Sequence, residues 1–214
     1  MSDEILEEAA LHDLMSELRA ANEAFNARYP GLALTRQPVH TVYGGANLYK
    51  PGAALKLADL AMKHLNDYAE NATKFAVALG FSGYDGGVDQ PASNQEIAEK
   101  VFTRVTAKLE TEAIEDHRVD FEDGYGARVD AEEDGHAVNA ALAMADGIRS
   151  ESLPPFVGIR IKALTEESKR RAIRTLQLFL STLIDQAGQI PENFVVTLPK
   201  VTSPTQASVL ASCL

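Results

Sequence analysis

Cysteine is almost missing from this chain: Cys213 stands alone among 214 residues. An internal disulfide is therefore impossible, and the cysteine usage implies no oxidising compartment. Long apolar runs are missing too, none approaching the ~20 residues of a membrane span. Met1-Ser2-Asp3-Glu4 lacks the basic start and apolar centre of a secretory leader. The expectation is a cytoplasmic protein. Positive charge is in deficit, with 20 Lys and Arg against 31 Asp and Glu and a formal charge of −11. The sequence pI is near 4.9. That balance argues against nucleic acid or an anionic membrane as the main partner, and otherwise speaks to solubility. The sequence shows no internal repeat and no low-complexity tract. The five histidines (His12, His40, His64, His117 and His136) show no H-E-x-x-H or other ligand spacing. His40 lies on an expected strand from which it could reach a site, though core or surface packing is the simpler reading for each of the five.

What is present is a core-forming composition, 45% hydrophobic, arranged in punctuated segments. Residues 4–28 read as an amphipathic helix with Leu11, Leu14, Leu18, Ala21 and Phe25 on one stripe. Residues 39–43 read as a strand, 51–69 as a helix and 74–79 as a further candidate strand. Gly80 to Pro91 is rich in Gly and Asp and reads as a loop, whose Phe81 to Gly87 stretch matches neither G-x-S-x-G nor a phosphate loop. From Ser93 the punctuation sharpens. Ser93 to Glu96 fits a capping box, as do Asp130 and Glu133, the latter opening an Ala-rich helix through Val138, Leu142 and Ala145. Thr165 opens a helix with the stripe Ile173, Leu176, Leu180, Leu183 and Ala187, closed by Gly188. Ser203-Pro204-Thr205-Gln206 carries an N-cap, a Pro at the first helical position and a Gln at the third.

Strands near residues 120, 159 and 197 recur about every 38 residues, the spacing of βα units and hence of a parallel sheet. Four strands are clear and a fifth is conceivable. An open doubly wound sheet fits this length, whereas a closed eight-unit barrel takes about 250 residues. The last helix has barely begun at Leu214.

The densest chemistry is Val119-Asp120-Phe121-Glu122-Asp123-Gly124-Tyr125-Gly126, three carboxylates within four residues at a strand end. Such charge needs an offsetting cation, proton or Arg, and α/β enzymes place their chemistry at carboxyl ends of strands. One reading is a Mg²⁺ or Mn²⁺ site; the other is a solvated acidic turn with one Asp capping. Arg160, in the apolar run Val157 to Ile161, suits a substrate carboxylate or a structural ion pair. Lys200 ends the next strand and could be a Schiff-base lysine, an anion anchor or a partner for Asp123. The neighbouring carboxylates disfavour the first of these by raising its pKa. Gly44-Gly45 could admit a close approach of substrate or backbone, though an ordinary turn is the simpler reading.

Taken in order, Val-Tyr-Gly-Gly-Ala-Asn, Val-Asp-Phe-Glu-Asp-Gly, Gly-Ile-Arg-Ile-Lys and Thr-Leu-Pro-Lys-Val-Thr-Ser-Pro resemble the amino-terminal half of the HpcH/HpaI aldolase and citrate lyase beta-subunit family. The resemblance spans roughly residues 36–210 and is sharpest near 120, 160 and 200. It implies a (β/α)8 TIM-type barrel of the phosphoenolpyruvate/pyruvate superfamily, with the first four or so βα units in residues 36–214 and a helical extension in residues 1–35. It also implies Mg-dependent carbon–carbon bond cleavage or formation through an enolate of a keto or hydroxy acid, with Mn as a substitute metal. A CoA thioester is among the substrates it allows, although nothing in the sequence points to CoA, and it implies a homo-oligomer.

In that resemblance Arg160 grips the substrate carboxylate or carbonyl oxygen, and Gly44, Gly45 and Lys200 contribute to substrate binding. Glu122 and Asp123 act near the metal, in a second shell or through water, while Lys200 organises them. The family's direct metal ligands, a Glu and an Asp on the fifth and sixth strands, are expected beyond Leu214, so residues 1–214 alone are expected to be inactive. Gly44-Gly45 departs from the family's usual Pro-Ala, and residues 1–35 and 66–92 exceed its pattern. The competing expectations are a non-catalytic fragment completed by a partner, and an unrelated doubly wound protein of phosphoryl chemistry.

Overall fold

The computed structural model describes residues 8–32, 34–81 and 92–214. Two compact units divide the chain, Met1–Gln37 and Pro38–Leu214. The first contains one long helix, α1 (Glu8–Arg28), on which the stripe residues Leu11, Leu14, Leu18 and Phe25 are all exposed.

The second unit is an α/β assembly. Its order is β1 (Val42–Gly45), a short 3-10 turn (Ala46–Leu48), α2 (Ala53–Tyr68), α3 (Ala72–Ala78), α4 (Ala92–Glu112), β2 (Asp116–Asp120), α5 (Asp130–Arg149), β3 (Phe156–Arg160), α6 (Lys169–Ala187), β4 (Phe194–Thr197) and α7 (Pro204–Cys213). The strands form one sheet in the order β1-β2-β3-β4, every pairing parallel. Among the described residues no helix is long and apolar enough to cross a membrane.

Several sequence expectations need correction. Residues 74–79 belong to α3, not to a fifth strand. The Asn71 side chain accepts a bond from the Lys74 amide at 3.0 Å, and this N-cap turns an ambiguous Lys-Phe-Ala-Val-Ala run into a helix burying Phe75 and Ala76. The first strand lies at Val42–Gly45, three residues later than expected, so Gly44 and Gly45 are strand residues paired with Val119 and Asp120 rather than a turn. Helix α4 already includes Ala92, so Ser93 is not its N-cap. Nor do Asp130 and Glu133 form a capping box: Val129 is the N-cap, and Glu133 is buried inside the protein. The expected stripe of α5 also shifts, since Leu142 is exposed while Ala137, Ala140, Ala141 and Met144 are buried. Thr165 starts a turn, and α6 begins only at Lys169. Gly188 does end α6, in the left-handed conformation at φ 70°, and Ser203 and Pro204 do open α7.

Side chains alternate across each strand, so the parallel register sorts them into two faces. Val119, Val157, Ile159 and Val196 share one face. They pack with Phe121, Ile161, the small residues of α5, and Leu176, Phe179 and Leu183 of α6 in the main core. Alanines on α5 let α6 approach closely. A smaller cluster joins Leu65, Ala69 and Phe75 to the inner sides of α2 and α4.

The opposite face carries Tyr43, Asp116, Arg118, Asp120, Arg160, Val195 and Thr197. Its buried charges are paired, as low polarity demands. Arg118 donates to both Asp116 oxygens, at 2.8 and 2.7 Å, and Thr41 Oγ1 donates to Asp116 at 2.9 Å.

Candidate functional site

Register places Gly45, Asp120, Arg160 and Thr197 side by side in one row at the carboxyl end of the sheet. That row is where parallel sheets present functional groups.

Asp120 is fully buried and does four jobs at once. Its Oδ1 accepts from the Glu122 amide at 2.9 Å, and its Oδ2 accepts from the Gly124 amide at 2.8 Å, which winds residues 120–124 into a tight turn. From β3, Arg160 Nε and Nη2 donate to the same two oxygens at 2.8 and 2.5 Å. Burial pushes the Asp120 carboxyl up, but Arg160 and the two amides outweigh it and hold the group below its ordinary value. Asp120 is thus the post around which the loop and the guanidinium are fixed, with both oxygens taken.

Arg160 uses one edge of its fork on Asp120. Its Nη1 lies 4.0 Å from Asp123 Oδ2, beyond hydrogen-bond reach, and its guanidinium stacks 4.5 Å from the Tyr43 ring centroid. Two N–H groups on Nη1 and one on Nη2 remain for another partner. Both sequence readings of Arg160 therefore meet here: it is a structural partner of Asp120 and still presents an open, planar end.

Lys200 donates to Glu122 Oε1 and to Asp123 Oδ1, each at 2.7 Å. Asp123 and then Glu122 raise its pKa above the ordinary lysine value. In return Lys200 leads the causes that hold Asp123 below its ordinary carboxyl value. A lysine held cationic in this way is the reverse of a Schiff-base nucleophile. Its backbone sits at φ 51°, in the left-handed region that non-glycine residues rarely occupy. That turn carries the ammonium group back onto the β2 loop.

Gly45 and Gly124 touch across the row. A Cβ on Gly45 would lie 2.5 Å from the Gly124 carbonyl oxygen, and one on Gly124 would lie 2.6 Å from Asp120 Oδ2. Close backbone approach is what Gly45 provides, one of the two roles the sequence suggested. Gly44 instead makes room for His117 on the opposite face, whose Nε2 would sit 3.2 Å from a Cβ there.

Sequence reasoning missed the support behind the loop. Lys162 Nζ donates to the Phe121 carbonyl at 2.7 Å, lies 3.0 Å from Glu133 Oε2 and caps the Tyr125 ring at 5.0 Å. Thr175 donates to Glu133 Oε1 at 2.6 Å, and Tyr125 Oη meets His136 Nδ1 at 2.7 Å. Burial, with Glu133 and Glu132 nearby, pushes the Tyr125 hydroxyl up to about 12. The signal that could have found Glu133 is its place on the apolar side of α5, where an unpaired carboxylate would be costly. His40 does not reach the site: its Nε2 lies 3.5 Å from the Glu115 amide, at the opposite end of β2. The loop from Ser82 to Pro91 lies outside the described residues.

Beside the row, Glu122, Asp123, Gly126, Lys162 and Ser168 line a cavity of about 350 Å³. Glu122 Oε2 is buried there without a hydrogen-bond partner. Among the described residues no group of three or more His, Cys, Asp or Glu is placed to hold a metal ion.

Residues 18–214 match the family model described as DUF6986, a domain of unknown function. The chain belongs to this family. The DUF6986 match takes in all four strands, and with them every residue of the strand-end row. No curated protein and no solved structure matches the chain.

Proposed function

We propose that the strand-end row is the substrate-gripping part of a Mg-dependent carbon–carbon lyase or aldolase that works through an enolate of a keto or hydroxy acid. The observation that carries this reading is the Asp120–Arg160 pair. It orients a half-buried guanidinium at the sheet's carboxyl end while leaving its outer edge open beside a clamped acidic loop. The strand order supports a barrel over a doubly wound sheet, because β1 to β4 follow one another with no reversal of order.

On this reading the open edge of Arg160 takes the substrate carboxylate bidentately and stays close to the oxygen on which charge develops. Asp120 fixes its angle, and Tyr43 flanks its plane. Lys200 holds Asp123 below its ordinary carboxyl value and keeps both loop carboxylates in register. The residues present fit a metal only partly. Asp120 has no free oxygen, whereas Glu122 and Asp123 suit acceptors for metal-bound water, and the unpartnered Glu122 Oε2 is a free acceptor. Bound Mg would supply a Lewis acid for the developing negative charge. The reading also needs direct carboxylate ligands that the described residues do not bring together.

The test is release of pyruvate or an acetyl product from a panel of keto and hydroxy acids by the natural protein with Mg²⁺. Turnover is expected to fall by about 100-fold or more in Arg160→Ala, the scale of losing one preorganised charge stabiliser. Asp123→Asn is expected to lower it less. Turnover that survives both changes overturns the site.

A further inference from the structure

A second cavity, of about 430 Å³, opens on the other side of β1, between that strand and the amino-terminal part of α2. This is the size range of small-molecule pockets, and its walls are largely apolar, with Leu48, Leu57, Leu60 and Tyr49 among them. Its polar lining is sparse. His117, on β2, is 4% exposed and forms part of the wall, with its Nε2 turned toward Gly44. Lys50 and Lys56 are exposed at the rim and enter no ion pair among the described residues, in a chain whose net charge is −11. Gly52 and Ala53, the first residues of α2, also line the cavity, and the Gly52 cap offers no side chain to the first amides. That helix end adds partial positive charge beside the two lysines. A cationic rim over an apolar body is the complement of a small amphipathic anion.

We infer that this cavity binds an apolar monocarboxylate, its carboxylate at Lys50, Lys56 and the start of α2 and its hydrocarbon against Leu57, Leu60 and the His117 ring. Burial lowers the His117 pKa against an opposing pull from Asp116, which keeps the ring neutral and compatible with an apolar guest. Gly44 is part of the design, since a side chain there would crowd the imidazole. The cavity shares Tyr43, Gly44 and Gly45 of β1 with the strand-end site, but the inference uses none of Asp120, Glu122, Asp123, Arg160 or Lys200 and survives failure of the lyase reading.

The test is titration of the full chain with octanoate, and separately with octan-1-ol, followed by the imidazole resonances of His117. Octanoate is expected to shift them saturably with a Kd below about 1 mM. The paired change Lys50→Ala with Lys56→Ala, both on exposed side chains, is expected to weaken octanoate about tenfold and to leave octanol unchanged. Leu60→Trp, which fills the cavity from an exposed position, is expected to abolish the shift. His117 resonances that do not move, or that move equally in the lysine variant, overturn the inference.

Discussion

On one face of the sheet Val119, Val157 and Ile159 lie at 0–1% exposure beneath α5 and α6. On the other, Asp116, Arg118 and Asp120 lie at 0–8%, yet their neighbours Tyr43 and Val195 are 45% and 39% exposed. Depth is similar and the physics is opposite. Apolar burial is non-directional and stabilises in proportion to area. Burying charge costs several kcal/mol per ion unless each oxygen finds a donor, so the polar face works only as paired. The apolar face accounts for why this sequence folds; the polar face accounts for where a guanidinium and three carboxylates are held. Damage to each face in turn should therefore have different consequences.

Phe179→Ala on α6 should produce the largest loss. Its ring is fully buried against Phe121 and Phe194. Truncation there should cost about 3–5 kcal/mol, read from the midpoint of urea unfolding. A loss under about 1 kcal/mol would mean that the α6 face is not the core.

Arg118→Met tests the polar face. It strips Asp116 of two bonds while Thr41 supplies a third, so the cost should be near the low end of the ~3–5 kcal/mol for an orphaned buried charge. The contrast lies in the double change. Adding Asp116→Leu removes the orphan and should recover most of that loss, within about 1 kcal/mol of the parent. No second change would rescue Phe179→Ala in this way. If the double variant is no better than the single one, the pair is not the reason for the cost.

Acid sharpens the same contrast, since the apolar face carries no carboxylate to protonate. Lys108 and the Val39 amide depress Glu115 from 4.5 to about 2. Asp120 is also held below its ordinary value. A carboxylate depressed in the folded state contributes stability that is complete above its unfolded pKa and is lost as pH falls through the folded one. Glu115 and Asp120 should therefore lower the thermal midpoint between the ordinary Glu115 value of 4.5 and about 2, below a first loss that begins under 6.5, where the buried His117 resists protonation. Glu115→Gln should be less stable at neutral pH and flatter across that window. A variant as steep as the parent would assign the acid response elsewhere.

How much of this the sequence revealed depends on the face. From residue 93 onward the βα rhythm, the strand-end carboxylates, Arg160 and Lys200 were all legible, because hydrophobic period and segment spacing carry that information even where the caps were misread. The sequence left three roles open for Lys200, and the structure brings it onto Asp123 as a structural partner. The partnership of Asp120 with Arg160 was not legible, because it rests on parallel register across forty residues of chain. Asp116 and Arg118 were hidden for a similar reason: two charges two residues apart read as solvent-facing until their shared face is known. Glu133 looked like a cap because its spacing from Asp130 is right for one; its burial against Lys162 and Thr175 is a tertiary fact. Residues 74–79 were misread because a short apolar run has no period of its own, and Asn71 decided it.

The smallest effect separates strain from charge at Lys200. Its side chain is 56% exposed, so its solvent-screened contacts with Glu122 and Asp123 should contribute little to stability. The backbone at φ 51° has its own cost, roughly 1–2 kcal/mol for a non-glycine residue. Lys200→Ala loses the contacts and keeps the strain. Lys200→Gly loses the same contacts and sheds the strain, against about 0.4–1 kcal/mol of added freedom in the unfolded chain. The glycine variant should therefore be more stable than the alanine variant by about 0.5–1 kcal/mol in urea titration. Both lack the ammonium group, so on the lyase reading both should lose turnover equally. Turnover that instead follows stability would make Lys200 a turn residue whose charge is incidental, and the acidic loop would then be clamped by Asp120 and Lys162 alone.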